Sequence, residues 1–270
     1  MMAKRVAWMT DIHVNFLNEE RVRAFHEQIT AASPEVVLIG GDIAEADTLV
    51  HDLIAMHEAI DVPIYFVLGN HDYYRGSIEG VRQSMRQLTA SSPGLQWLPA
   101  CGPVKLGEDV ALVGHGGWGD ARLGNFDRSD VKSFLSDHAL IRELRRIDLT
   151  DVELKSKLMG LGDDAAGSLR KALTGVSAYR KIIVLTHVPP FRESCWHEGA
   201  ISNDDWLPHF TCKAVGDVLH DVATSNPGQE FLVLCGHTHS GGDTKILPNL
   251  EVRTGAADYG RPDIQDVIEV

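Results

Sequence analysis

Histidine, carboxylate and carboxamide side chains recur directly after short apolar runs of this sequence. The run at 231–235, for example, leads into Gly-His-Thr-His, which places His237 and His239 two positions apart. Five of six such runs are followed by potential metal ligands, which are Asp11, His13, Asp42, Asn70, His71, Asp72, His187, His237 and His239. Carboxylate, carboxamide and imidazole together favour Mn, Fe, Zn, Co or Ni over calcium.

The joint placement of these residues matters more than any one of them. A histidine after a strand is usually a loop residue, and an aspartate after Gly-Gly is usually a turn residue. One aspartate can bridge two ions, and two ions roughly 3.5–4 Å apart can clamp a phosphate and activate a bridging water as nucleophile. The pattern therefore indicates a site for two divalent ions.

The apolar runs predict strands buried on both faces, because they are continuous and rich in Val, Ile and Leu. They lie at 6–11, 36–42, 64–72, 110–117, 182–190 and 231–239. In an α/β sheet, ligands gather outside the carboxyl ends of the strands. Residues that are far apart in sequence should therefore converge at one edge.

Helical periodicity between the early strands indicates a layered α/β fold. We expect helices at 19–32, 46–60 and 77–90, and two more, at 130–147 and 163–181, within an insertion at 118–180. Short strands are expected at 243–247, 250–253 and 264–270. The modest apolar content of the insertion favours one domain over residues 1–270.

The composition and net charge of the chain disfavour some classes of function. The chain has 270 residues, of which 44% are hydrophobic, and a formal net charge of -13. That charge argues against nucleic-acid binding, which needs a basic face, but leaves room for an anionic substrate at bound metal ions. The four cysteines show no C-x-x-C spacing, and no signal peptide or membrane span is indicated. A cytoplasmic protein is expected.

The order of the polar blocks resembles that of the calcineurin-like metallophosphoesterases. The matching blocks are Asp11-x-His13, Gly41-Asp42, Gly69-Asn70-His71-Asp72, Thr186-His187 and Gly236-His237-Thr238-His239. The resemblance implies a four-layer α/β/β/α sandwich with two mixed β-sheets and an active site at the strand C-terminal ends. Periodicity alone does not indicate the second sheet.

The resemblance also implies a role for each residue. Asp11, His13 and His239 resemble the ligands of the first metal; Asn70, His187 and His237 resemble those of the second. Asp42 resembles the bridging carboxylate. His71 resembles a histidine that is not a ligand but stabilises transition-state charge or protonates the leaving oxygen. Glu45, three residues after Asp42, is a candidate partner of His71 or simply a solvated residue.

Two positions of this sequence differ from the motifs of known subfamilies and disfavour membership of those subfamilies. Glu45 stands where purple acid phosphatases carry tyrosine, and "GDIAEAD" with "GNHD" differs from the phosphoprotein phosphatase blocks.

The expected function is a dinuclear metal-dependent hydrolase of small phosphodiesters or phosphomonoesters that uses a metal-bridging hydroxide, with no membrane partner. A non-catalytic binding module and a nuclease are the alternatives, although the charge disfavours the nuclease. Substrate, native metals and oligomeric state stay open.

Two further segments are candidates for substrate recognition. "GHGGWGD" at 114–120 brings its backbone close to the site with Trp118 or His115 as a wall, or is a turn with the aromatic residue packed on the core. The irregular segment 188–210 is expected to form a rim loop. In it, Arg192 is a candidate contact for a substrate anion. Trp196 and Trp206 are candidates for stacking, with packing the alternative for at least one of them.

Overall fold

The computed structural model describes residues 4–270. Its strands are β1 (Arg5–Met9), β2 (Val36–Ile39), β3 (Ile64–Phe66), β4 (Leu95–Trp97), β5 (Val104–Lys105), β6 (Val110–Gly114), β7 (Lys181–Leu185), β8 (Trp196–His197), β9 (Ala200–Ile201), β10 (Glu230–Cys235), β11 (Gly242–Leu247), β12 (Leu250–Thr254) and β13 (Asp266–Glu269). Its α-helices are α1 (Glu19–Ala31), α2 (Leu49–Ile60), α3 (Ile78–Ser91), α4 (Leu98–Cys101), α5 (Asp137–Leu140), α6 (Asp151–Thr174), α7 (Leu207–Phe210) and α8 (Lys213–Ser225).

The strands form two large mixed sheets. The first sheet has the order β13-β1-β2-β3-β4 and is parallel except for β13, which runs antiparallel to β1. The second has the order β11-β12-β10-β7-β6-β5, and its edge strands β11 and β5 are antiparallel to their neighbours. In each sheet the central parallel strands end at the same edge, as the sequence predicts.

Three apolar clusters separate four layers. Along β1, Val6 and Trp8 belong to the cluster between the sheets, together with Leu185 and Leu234 of the second sheet. Ala7, on the opposite face of β1, belongs to the cluster beneath α1, α2 and α3. The third cluster lies between the second sheet and helices α6 and α8. This is the expected α/β/β/α sandwich, and both faces of its parallel strands are buried.

The predicted helices on the first sheet agree closely with α1, α2 and α3. Asn18 caps α1 by accepting a hydrogen bond from the backbone N–H of Arg21, and Ser77 caps α3 by accepting one from Gly80. Both caps satisfy an N–H group that the helix itself leaves without a partner. Of the described residues, no helix is long and apolar enough to cross a membrane.

The prediction of one helix at 130–147 was wrong. The segment forms α5 and short 3-10 turns. Its backbone pairs with the loop before α3: Arg75 N–H donates to the carbonyl of Leu140, and Arg142 N–H donates to that of Gly76. The carboxylate of Glu143 accepts from the N–H of Ile78. These contacts with a neighbouring segment override a helical periodicity that is only a weak local preference.

The other predicted helix of this region begins earlier than expected. α6 starts after Thr150, whose side chain and backbone exchange hydrogen bonds with Glu153 in a capping box. The helix ends at Thr174, before Gly175, so residues 175–181 are not helical. Thr-x-x-Glu is the sequence signature of such a start, and the periodicity reading at 163–181 overlooked it.

His115, just after β6, makes the stability of the fold depend on pH. Its Nδ1 accepts a hydrogen bond from the N–H of Gly117, and burial lowers its pKa from 6.5 to about 3. Unfolded chains therefore bind a proton at this position below pH 6.5, whereas the folded protein does not. The resulting stabilisation is complete above pH 6.5 and is lost as the pH falls towards 3.

We expect His115→Asn to weaken this dependence. Asparagine keeps an acceptor near Gly117 but does not titrate, so the drop in unfolding free energy between pH 7 and pH 5 should shrink by about 2 kcal/mol. Urea unfolding in the presence of chelator, at pH 7 and at pH 5, measures this difference in unfolding free energy. The matched variant His51→Asn removes an exposed histidine, and an equal change in both variants would contradict the assignment to His115.

Candidate metal centre

The loops after β1, β2 and β10 turn sharply at the residues predicted to bind metal. Asp11, His13, Asp42, His237 and His239 all have positive φ values, between 40° and 69°. This left-handed conformation is uncommon for residues other than glycine and costs free energy. It turns five polar side chains inward at the common edge of the two sheets.

The first candidate cluster contains Asp11, His13, Asp42 and His239. Their ligand atoms all lie within 4.8 Å of one another. His13 Nε2 is 3.2 Å from His239 Nε2, and His239 Nε2 is 3.4 Å from Asp11 Oδ1. The Asp11 carboxylate is fixed by the hydroxyl of Thr10, which donates over 2.6 Å to Oδ2.

The second candidate cluster contains Asp42, His187 and His237, with Asn70 beside them. His187 Nε2 lies 3.1 Å from His237 Nδ1 and 3.1 Å from Asn70 Oδ1. The other ring nitrogens face backbone carbonyls: His187 Nδ1 is 2.9 Å from Gly40 O, and His237 Nε2 is 3.2 Å from His209 O. A proton on each outer nitrogen leaves the inner lone pairs directed into the cluster.

Asp42 belongs to both clusters. Its Oδ2 lies 3.7 Å from His13 Nε2, and its Oδ1 lies 3.4 Å from His187 Nε2. Burial, together with the nearby carboxylate of Asp11, raises the pKa of Asp42 well above its ordinary value. Burial also raises the pKa of Asp11, but the surrounding imidazoles outweigh burial and lower that pKa overall.

The protonation states suit cation binding. Burial lowers the pKa of His13 and of His187 to about 3, so both imidazoles are neutral at pH 7. Neutral imidazole is the form that coordinates a metal. Two buried carboxylates among neutral lone-pair donors are destabilised by mutual repulsion, which a divalent cation offsets. The donor set therefore fits two divalent ions that share Asp42.

Asp72 fixes the two loops that carry Asp42 and Asn70. Its buried carboxylate accepts four backbone hydrogen bonds, from Asp42 and Gly69 at Oδ2 and from Ile43 and Ala44 at Oδ1. Burial raises its pKa to about 7, against the opposing effect of those four N–H groups. Asp72 was predicted only as one of the potential ligands, without a role of its own, and its adjacency to His71 was the available signal.

His71 stands beside the clusters rather than within them. Its Nε2 lies 3.9 Å from Asp42 Oδ2, its ring packs 4.2 Å from that of Tyr74, and burial lowers its pKa to about 4. Glu45 does not support it. The Glu45 carboxylate lies 2.5 Å from Arg75 Nη1, and no hydrogen bond in the described part of the chain joins it to His71. The flexible arginine reaches the carboxylate from the solvent side.

Asp137 supports Asn70 from outside the recognised blocks. Its Oδ1 accepts hydrogen bonds from Asn70 Nδ2 at 2.8 Å and from the Tyr74 hydroxyl at 2.6 Å. These bonds hold the amide group so that Asn70 Oδ1 faces His187. Because Asp137 lies in the insertion, no motif or spacing in the sequence points to it.

We expect Asp137→Ala to lower the affinity for one of two Mn²⁺ ions by about 10- to 100-fold, the usual effect of losing an orienting partner. Tyr74→Phe removes the hydroxyl that donates to Asp137 and accepts from Asn70 Nδ2 over 3.1 Å, but it leaves the bond between Asn70 and Asp137 in place and should have a smaller effect. Calorimetric titration of the metal-free protein measures both affinities. Ser136→Ala is the neighbouring control, and unchanged binding of both ions by Asp137→Ala would contradict the role.

The glycine-rich segment packs beneath the site. Trp118 is buried and its ring lies 5.5 Å from that of Tyr73, so the core-packing alternative is correct for it. Gly116 O accepts the backbone N–H of His187, and a Cβ at Gly116 would stand 1.9 Å from the carbonyl oxygen of Leu68. A larger residue there would push this segment away from the candidate ligands.

The rim segment, residues 188–210, places its arginine away from the predicted substrate contact and its tryptophans along a cleft. Arg192 Nη1 pairs with Asp204 at 2.8 Å, and a Cβ at Gly242 would stand 2.4 Å from the Trp196 ring. Trp196 and Trp206 both line a cleft of 420 Å³ that also contains Asp42 and His71. The cleft therefore opens directly onto both candidate clusters.

Comparisons with known proteins agree with this arrangement. A family profile described as calcineurin-like phosphoesterase matches residues 4–241. The fold resembles a phosphopantetheinyl hydrolase from Mycobacterium tuberculosis, with a TM-score of 0.69, 13% identity and coverage of 100% of this chain and 96% of that one. It also resembles a dimetal phosphatase from Danio rerio, with a TM-score of 0.59, 14% identity and coverage of 95% and 88%. No protein of curated function matches the sequence significantly.

Proposed function

This chain belongs to the calcineurin-like phosphoesterase family, and on that premise we propose that it hydrolyses small phosphate esters with two divalent metal ions. Family membership makes it a phosphoester hydrolase; the number of ions, their ligands and the substrates are our proposal. The observation that carries it is the sharing of Asp42 by two ligand clusters that face one cleft.

The proposed ligands divide between the two ions. The first ion would be held by Asp11, His13 and His239 and the second by Asn70, His187 and His237, and both would share Asp42. When bound, two such ions supply Lewis acidity and activate the attacking water. Because four of the seven ligands are imidazoles, Mn, Fe, Zn, Co or Ni fits better than Mg or Ca.

His71 is proposed to act on the substrate as a hydrogen-bond donor. Its low pKa keeps the ring neutral at pH 7, which supports donation of an N–H to the charge that develops on phosphate oxygens rather than full proton transfer. Its place beside Asp42, outside both ligand clusters, leaves Nε2 free for that contact. The backbone N–H of His71 also donates to Asp42 Oδ1 over 2.9 Å, so catalytic and bridging residues are positioned together.

Turnover of a substrate panel by metal-loaded protein tests the proposal. The panel contains p-nitrophenyl phosphate, bis(p-nitrophenyl) phosphate and, since one structural neighbour is named a phosphopantetheinyl hydrolase, a phosphopantetheine ester. We expect Mn²⁺-dependent hydrolysis that chelation abolishes and Mn²⁺ restores. Absence of metal-dependent turnover on every ester would favour the binding-module alternative. Duplex DNA is assayed in parallel, and its cleavage in preference to the small esters would favour the nuclease.

A further inference from the structure

A row of aromatic rings leads from the candidate metal centre to the mouth of the cleft. The Phe210 ring is stacked on His237 with centroids 4.5 Å apart; Trp206 lies 5.5 Å from Phe210, and Phe134 lies 5.9 Å from Trp206. We call Phe134, Trp206 and Phe210 the aromatic row. All three line the same cleft as Asp42 and His71.

The outer part of the aromatic row is open to solvent. Phe134 is 62% exposed and Trp206 is 36% exposed. Burial of a large aromatic side chain usually stabilises the fold, so such exposure is uncommon. Tyr259, also 53% exposed, lines the same cleft and lies 4.7 Å from the His13 ring. Exposed rings concentrated at one cleft indicate that a ligand covers them.

Apart from metal ions, the cleft offers no permanently charged cation to a second anionic group. Among the described residues that line it there is no lysine or arginine, whereas Asp137 contributes a carboxylate. The arginine of the adjacent rim, Arg192, is paired with Asp204. A phosphate can be neutralised at the metal ions, but a further phosphate or carboxylate along the aromatic row would lie unpaired near Asp137.

We infer that the substrate is an ester of a single phosphate whose organic group is flat or apolar, uncharged, and bound along the aromatic row. This inference rests on the proposed function, since it places the phosphate at the metal centre. A cleft of this kind disfavours polyphosphate substrates. Phe134 comes from the insertion and Trp206 from the rim segment, so both lie outside the residues that carry the family resemblance.

Three phosphonates that share one anionic group and differ only in the organic part provide the test. Their dissociation constants are measured by calorimetry on Mn²⁺-loaded protein. Phenylphosphonate should bind at least about tenfold more tightly than methylphosphonate, because burial of a ring stabilises the complex by more than 1.4 kcal/mol. 4-Carboxyphenylphosphonate should bind at least about tenfold more weakly than phenylphosphonate, because its carboxylate meets no cation.

Variants of the aromatic row connect this preference to the structure. Trp206→Ala should reduce the preference for phenyl over methyl to within about threefold. Phe134→Ala, at a more exposed position where folding is less affected, should reduce it partly. Ile147→Ala, which truncates an exposed residue outside the cleft lining, is the matched control and should keep the full preference.

Each result bears on a different claim. Equal binding of phenyl- and methylphosphonate by the unaltered protein, or a full preference that survives in both aromatic variants, would overturn the inference while leaving ester hydrolysis intact. Tight binding of the carboxyphenyl compound would also overturn it. If no phosphonate binds and no ester is cleaved, the proposed function itself is wrong.

Discussion

Replacement of Asp42 with asparagine should reduce the metal content from two ions to fewer than one per chain and lower turnover by about 100- to 1000-fold. The carboxylate faces His13 with one oxygen and His187 with the other. Asparagine offers one oxygen and one NH₂ group, which donates and therefore cannot serve as a ligand. Elemental analysis after gel filtration, alongside turnover in excess Mn²⁺, measures both effects.

A matched variant and a stability measurement separate metal loss from unfolding. Asp47→Asn makes the same change at an exposed position of the same loop and should keep both ions. In chelator, Asp42→Asn should be at least as stable as the unaltered protein, because it removes a buried carboxyl group whose ionisation is disfavoured by burial and by nearby Asp11. Retention of two ions by Asp42→Asn would show that Asp42 is not the bridging ligand.

Replacement of His71 with asparagine should lower turnover to a similar extent but without loss of metal. Both ions should stay bound, because His71 lies outside both ligand clusters, while kcat falls by about 100- to 1000-fold through loss of the donor at Nε2, a position that the shorter asparagine side chain does not reach. Asparagine keeps the backbone N–H that donates to Asp42. Kinetics and elemental analysis on the same preparation provide the comparison.

The comparison between the two variants decides the assignment of roles. His51→Asn, at an exposed histidine of α2, should change neither metal content nor turnover. Equal metal loss in His71→Asn and Asp42→Asn would mean that His71 is itself a ligand. Full activity in His71→Asn would mean that the ions alone stabilise the transition state.

The convergence of the polar blocks could be predicted because strand geometry is regular. Asp11, Asp42 and His187 each follow an apolar run, and parallel strands of one sheet end at one edge. The second sheet could not be derived from periodicity, since a strand buried between two layers has the same apolar pattern in either sheet. Only the family resemblance indicated it.

The supporting residues were harder to predict because their roles depend on tertiary contacts. Asp137 lies in a segment whose helical periodicity was misleading, and its contact with Asn70 joins residues 67 positions apart. Glu45 had the expected spacing from Asp42 but pairs with Arg75. Trp118 and Trp206 are the same residue type in irregular segments, and only the packing around each distinguishes a core residue from a cleft residue.

The two sheets of the sandwich meet at the candidate metal centre, so bound ions would have a further consequence for the chain. Asp11, His13 and Asp42 follow strands of the first sheet, while His237 and His239 follow β10 of the second. An ion held by both sets acts as a cross-link between residues 226 positions apart, as His13 and His239 are. A covalent link that closes a loop of that length would raise the free energy of the unfolded chain by about 5 kcal/mol, because it removes conformational entropy.

Because a metal cross-link is reversible, its strength follows the free metal concentration. Metal starvation would therefore do more than stop catalysis: it would leave the halves of the sandwich joined by side-chain packing and cross-sheet hydrogen bonds such as that from the His237 N–H to Asp11. Proteases should then cleave the starved protein faster than the loaded one. The supply of metal would thus set the lifetime of the chain as well as its activity.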